Sequence, residues 1–245
     1  MRVRSFASAL PALILIMCSP AVAAECPAPP TTTRFDLPRT RAAIKDAEPV
    51  AIVAFGSSST LGYQASSPAA SYPAVLQARL TAALPQTRWT VNNRGINGED
   101  APEALARLTS DVIAYRPRLV IWQVGANDAL RGTDAALFQT QVREGIRRLW
   151  AADIDVILMD NQRAPKIMAA PNPVEIDAAL RSLAAETGVG LFSRGELMDF
   201  WSALPNGGPS VIAQDGLHHN DLGYRCVADA LAARIVQSIS VKTPD

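Results

Sequence analysis

An excess of charge of either sign is missing from this chain: Lys plus Arg and Asp plus Glu both number 23 among 245 residues, for a formal net charge of +0. Without a global field to recruit polyphosphate, a general nucleic-acid binder is excluded. Aromatic residues reach only 6% and are scattered, too few for a base-stacking platform. Charged residues are also scarce, at 19% against 49% hydrophobic, which excludes a disordered or fibrous chain and leaves ample material for one domain with a sizeable core.

Long apolar runs are scarce too. The run at 9–17 falls short of the roughly 18 to 20 residues a spanning helix needs, so no stable membrane span is expected. It follows a basic head of Arg2 and Arg4, is interrupted by Pro11 and followed by Pro20, and precedes the small residues Ala21-Val22-Ala23. That pattern predicts a cleaved secretory signal over 1–24 and an exported, periplasmic or secreted, mature chain. Of three cysteines, Cys18 falls in the signal, leaving Cys26 and Cys226, a pairable number in an oxidising compartment. Bonded, they tie the N-terminal arm to the last helix; unpaired, Cys226 is simply packed there.

What remains alternates. Residues 25–49 are rich in Pro, Thr and charge with no sustained period, and are expected to form an extended arm. From 50 onward, strands are expected at 50–55, 89–92, 119–124, 154–159 and 189–192. Helices are expected at 72–84, 101–115, 134–151 (opened by Asp134 as N-cap), 173–187 (closed by Gly188) and 222–239. Continuously apolar strands separated by helices predict a five-stranded parallel sheet covered on both faces, a three-layer α/β/α domain over 50–245. In such sheets ligands sit at the carboxyl ends of the strands.

The loops expected at those ends carry Gly56-Ser57-Ser58-Ser59-Thr60, then 92–100 with Gly95 and Gly98, then Gly125-Ala126-Asn127-Asp128, and finally Asp215-Gly216-Leu217-His218-His219. These are the parts of an acyl-transfer site. A serine hydroxyl needs a base that is neutral near pH 7, and the chain's only two histidines are here. Asp215 lies one turn from His218, close enough to fix its tautomer. A glycine after a strand and an Asn carboxamide can supply N–H donors to an oxyanion. Taken singly, each segment also reads as a polar turn, a helix cap or an anion nest. Asp215, His218 and His219 are also conceivable metal ligands.

Together these blocks resemble the SGNH hydrolases, or GDSL esterases, over about 51–224, and within them the bacterial periplasmic thioesterase, lysophospholipase and arylesterase subgroup. Gly125-Ala126-Asn127-Asp128 and Asp215-Gly216-Leu217-His218 match the third and last family blocks in full, and Leu130-Arg131-Gly132 continues the third as that subgroup does. Asn93 to Gly98 resembles the second block. The first departs from the pattern, with Gly56-Ser57-Ser58 in place of Gly-Asp-Ser, and His219 stands where the family usually has Pro. The resemblance implies a flavodoxin-like SGNH hydrolase fold and a secreted esterase needing neither cofactor nor metal. It implies Ser58 as nucleophile, His218 as base, Asp215 as its orienting carboxylate, and Ser58, Gly98 (with Gly95 as runner-up) and Asn127 as the oxyanion hole. The substrate is then a small-molecule or glycan ester, with acyl length, alcohol and oligomeric state open. The segments 61–71, 161–172 and 203–214, with Tyr63 and Met168, are expected to wall the pocket. Two other readings are a non-catalytic glycan- or anion-binding module on the same fold and a metal-dependent phosphodiesterase using Asp215, His218 and His219.

Overall fold

The computed structural model describes residues 26–29, 34–205 and 207–240; the expected signal over 1–24 lies outside the described residues. In chain order the elements are α1 (Pro38–Lys45), β1 (Val50–Gly56), α2 (Ser58–Leu61), α3 (Tyr72–Ala83), β2 (Trp89–Gly95), α4 (Ala101–Asp111), β3 (Leu119–Gln123), α5 (Ala126–Arg131), α6 (Ala135–Ala151), β4 (Asp155–Met159), α7 (Pro165–Met168), α8 (Pro173–Thr187), β5 (Gly190–Phe192), α9 (Arg194–Ser202) and α10 (Asp221–Ile239). The strands form one sheet in the order β2-β1-β3-β4-β5, every pair parallel, with Val50 beside Trp89, Ile52 beside Leu119, Leu119 beside Asp155 and Ile157 beside Gly190. This is the flavodoxin-like order expected, with its reversal between β1 and β3.

The apolar strands are continuous in sequence because both faces are buried. Alternate residues serve opposite cores. Ile52, Ala54, Ile121, Ile157 and Met159 pack with Leu76 and Leu80 of α3, Trp201 of α9 and Val227, Leu231 and Ile235 of α10. Val53, Phe55, Val120, Trp122, Val156 and Leu158 pack with Leu108 of α4, Phe138 and Val142 of α6 and Leu180 of α8. The short helices α2, α5 and α7 each follow the carboxyl end of a strand, where the polar loops converge.

The structure departs from the sequence expectations in several places. The arm expected to be extended over 25–49 contains α1. Pro38 starts that helix with its φ already helical, and Asp155, buried on β4, holds it by accepting from the Thr40 N–H and hydroxyl, each at 2.8 Å. β2 runs to Gly95, three residues beyond the expected 89–92. It pairs only with β1, and an edge strand tolerates polar Asn92, Asn93 and Arg94. The helix expected over 101–115 ends at Asp111 and tightens into a 3₁₀ turn at Ile113–Tyr115. The helix α9 was not expected, although Ser193 and Glu196 carry a capping signature and the Ser193 hydroxyl does accept from the Glu196 N–H.

Candidate active site

The nucleophile segment begins where β1 stops. Gly56 has φ +150°, and a Cβ there would lie 2.5 Å from the Gln123 carbonyl oxygen. Only glycine lets the chain pass this close to β3 before it turns into α2. Of the three serines that follow, two face inward. Ser57 and Ser59 are buried, and Ser57 donates from both its N–H and its hydroxyl to the Gln123 side-chain oxygen, each at 2.9 Å. The Thr60 hydroxyl donates to the same oxygen at 3.2 Å. Ser57, the replacement for the family's Asp, therefore serves a neutral network beneath the turn.

Ser58 faces the other way. Its Oγ is 2.7 Å from His218 Nε2, and His218 Nδ1 is 2.6 Å from Asp215 Oδ2. The other carboxylate oxygen of Asp215 accepts from the backbone N–H groups of Leu217 (2.9 Å) and His218 (3.0 Å). Burial pushes the Asp215 carboxyl up, but these hydrogen bonds outweigh it and hold the group below the ordinary range. A carboxylate there accepts from Nδ1–H, so that tautomer of His218, with a free Nε2 lone pair toward Ser58, is favoured.

His219 points away from the site and is fully buried, with its ring against the Val211 carbonyl at 3.1 Å. Burial, reinforced by the nearby Arg194, lowers its pKa to about 3. It neither reaches substrate nor caps α10, whose N-cap is Asn220. Asp215, His218 and His219 thus do not converge on a common point, and the metal reading of the three is not sustained by their geometry.

The 96–100 loop leaves the end of β2, with the Ile96 N–H donating to the Gly56 carbonyl at 2.9 Å. Gly98 sits at φ +76° with open space around it, so its glycine answers a backbone requirement and leaves the position uncovered. Gly95 does different work: a Cβ there would come 2.1 Å from the Leu61 nitrogen, so it lets β2 pack on α2, and its N–H is already given to Asn93 Oδ1 at 3.0 Å. The Asn127 amide, on α5, donates one hydrogen to the Glu99 carbonyl at 2.7 Å and has a second to offer. Asp128 beside it is fully buried and accepts from the Ala101 N–H at the start of α4 at 3.2 Å.

Residues that the sequence did not single out hold this loop. Arg107 on α4 pairs with the Glu99 carboxylate, donates to the carbonyls of Gly56 (3.3 Å) and Arg94 (2.9 Å), and lies over the Phe55 ring at 4.2 Å. Arg131, quoted above only as part of a motif, donates to the Gly98 carbonyl at 2.8 Å and pairs with Asp100. The spacing of Glu99 and Arg107 marks nothing in sequence, because the contact spans a loop and a helix start. Of the expected pocket walls, Tyr63 packs against His218 with ring centroids 4.8 Å apart, and Met168 is half exposed.

A sequence profile of the non-GDSL lipase-like family matches residues 23–241. The chain belongs to that family. Its Gly56-Ser57-Ser58, lacking the Asp of the GDSL signature, accords with the family's description. This lipase-like chain is 28% identical over 184 residues to the thioesterase 1/protease 1/lysophospholipase L1 of Escherichia coli K12, covering 75% of this chain and 82% of the relative. Among solved structures it resembles a two-domain esterase (CEX) active on acetylated mannans, with a TM-score of 0.70, 22% identity and 86% of this chain matched; the match spans only 56% of that larger chain. It also resembles the acetyl xylan esterase AlAXEase, with a TM-score of 0.65 and 21% identity over 76% of this chain and 100% of that one. The SGNH/GDSL resemblance seen in the motifs is borne out, and the protein is a carboxylic ester hydrolase. Among the described residues no helix is long and apolar enough to cross a membrane.

Proposed function

We propose that the protein is an exported serine esterase working through an acyl-enzyme on Ser58. The observation that carries this is the unbroken line from Ser58 Oγ through His218 to Asp215, at 2.7 and 2.6 Å. The Ser58 oxygen attacks the ester carbonyl as His218 Nε2 takes its proton. The tetrahedral oxyanion is held by the N–H groups of Ser58 and Gly98 and the free hydrogen of the Asn127 amide. Collapse breaks the bond to the alcohol, which leaves with the proton from His218. Water then attacks the acyl-Ser58, giving its proton to His218, and the acid departs as Ser58 is restored. A module that only bound its ligand would not need His218 held in line between Ser58 and a carboxylate.

Export is supported by the basic head and apolar run within 1–24 and by the bond between Cys26 and Cys226, of a kind that persists in oxidising compartments. In this reading 1–24 is removed, 25–49 is an arm containing α1, and 50–245 is the hydrolase domain. The test is hydrolysis of p-nitrophenyl acetate at pH 7.5 by the chain starting near Glu25, beside Ser58→Ala and Asn127→Ala. Turnover in the parent, background in Ser58→Ala and a kcat lowered about 100- to 1000-fold in Asn127→Ala are expected. A Ser58→Ala variant as fast as the parent would refute the serine mechanism.

A further inference from the structure

Resting on the roles proposed for Ser58 and His218, we propose that the exposed ring of Tyr63 is the platform for the alcohol part of the ester, and that this alcohol is a sugar hydroxyl. The substrate class is an O-acylated glycan.

The position follows from proton transfer. His218 Nε2 must deliver its proton to the departing alcohol oxygen, so an exposed side chain flanking the imidazole is placed to meet the alcohol part. Tyr63 is that surface. Its ring centroid is 4.8 Å from that of His218, inclined at 55°, yet the residue is still 46% exposed.

A large ring left half in water beside a reactive group is costly to hold still, but Tyr63 is held from several sides. Its N–H donates to the Ser58 carbonyl at 2.9 Å, and its carbonyl accepts from the hydroxyl of buried Tyr224 at 2.7 Å. Gly62, at φ +93°, lets the chain double back; a Cβ there would lie 2.6 Å from Ser71 Cβ. Three residues on, Ser66 gives its N–H (2.8 Å) and hydroxyl (2.5 Å) to Asp221 at the start of α10. The backbone is therefore pinned on both sides of the ring. A ring ordered in advance binds a flat partner with little further loss of entropy.

The chemistry of the cleft selects the partner. Gly98, the glycine proposed for the oxyanion hole, borders an open depression of about 340 Å³ lined also by Ile96, Asn97, Glu99, Glu103 and Arg131. Its donors and acceptors suit hydroxyl groups and offer no apolar tunnel to a long acyl chain. A pyranose suits both features that flank the proposed site: its C–H face covers the Tyr63 ring while its hydroxyls meet the donors and acceptors beside Gly98.

The experiment compares the parent, Tyr63→Ala and Tyr63→Trp on mono-O-acetylated xylobiose and on vinyl acetate, whose alcohol is too small to reach the ring. For Tyr63→Ala the proposal expects KM for the acetylated xylobiose to rise about tenfold with kcat within about twofold, and the kcat/KM ratio of sugar ester to vinyl acetate to fall about tenfold. Tyr63→Trp should restore both. If Tyr63→Ala instead lowers kcat for the two esters alike, or moves the acid limb of the pH profile, the ring supports the imidazolium and the proposal is overturned. An unmoved KM also overturns it.

Calorimetric binding of the same acetylated xylobiose to Ser58→Ala, with and without Tyr63→Ala, reads the platform without turnover. Weaker binding in the double variant supports the platform even if the serine mechanism fails. Equal affinity sinks the platform while leaving that mechanism standing.

Discussion

Three serines follow Gly56, and their surroundings assign them different work. Gln123, a polar residue at the end of an otherwise apolar strand, takes Ser57 and Thr60 into the interior, which leaves Ser58 to face His218. The family's Asp at position 57 is thus replaced by a residue whose bonds are all neutral. Asp128 keeps a buried carboxyl at the site. Burial pushes it up to about 6 against the Ala101 N–H that favours its anion, with Asp100 adding to the rise. Because the folded-state pKa is raised, the folded chain keeps a proton that the unfolded chain has released between about pH 4 and pH 6. Stability from this group is therefore lost as pH rises through that window. Asp128→Asn keeps an oxygen for the Ala101 N–H and does not titrate. Its stability relative to the parent should grow from near zero at pH 4 to at most about 3 kcal/mol at pH 7, measured by urea unfolding. Parallel parent and variant curves would contradict the shift.

At the scale of elements, the candidate oxyanion loop is an ordered bridge between β2 and α4. Asp100 and Glu103 form a reciprocal capping box at the start of α4, Asn127 and Arg131 hold the carbonyls of Glu99 and Gly98, and Arg107 ties the loop to the ends of β1 and β2. Arg107→Ala should lower kcat on the order of 10- to 100-fold, because small misplacements of positioned groups are costly to turnover. Arg107→Lys should not rescue it: one ammonium cannot pair with Glu99 while reaching two carbonyls in the planar fork of a guanidinium. Initial-rate kinetics beside thermal unfolding separate the effects, and a variant that loses Tm but keeps kcat would show that Arg107 only stabilises the fold. This loop was half legible in sequence. The Asp100-Ala101-Pro102-Glu103 pattern marks a helix start, whereas polar Asn92 to Arg94 conceals the end of β2.

At the scale of the whole molecule, one covalent link joins segments 200 residues apart. Cys26 is bonded to Cys226, which is buried in α10, and the neighbouring Pro27 carbonyl accepts from Trp201 of α9 at 2.8 Å. In the chain-entropy account, closing so long a loop restricts the unfolded chain by roughly 5 kcal/mol, and measured losses on removing native disulfides run about 2 to 5 kcal/mol. Reduction, or Cys26→Ser, should therefore lower unfolding stability by about 2 to 5 kcal/mol and leave the Ser58 site assembled, since neither cysteine contacts it. Denaturant curves with and without reductant, with esterase rates on the same samples, check this. Unchanged midpoints would show that the link adds nothing to stability.

By itself the sequence determined the layered α/β architecture, because continuous apolar strands and amphipathic helices have few ways to bury their faces. It also made the Asp215–His218 pair legible, because three residues of separation let one local turn bring the two side chains together. Tertiary structure alone decided the rest. It turned Ser58 toward His218 and its neighbours inward, put Gly98 in the open loop and Gly95 under α2, buried His219 away from the site, and brought Arg107 to Glu99. Each of those choices depends on atoms far apart in the chain meeting at the edge of the sheet, and no local spacing encodes such a meeting.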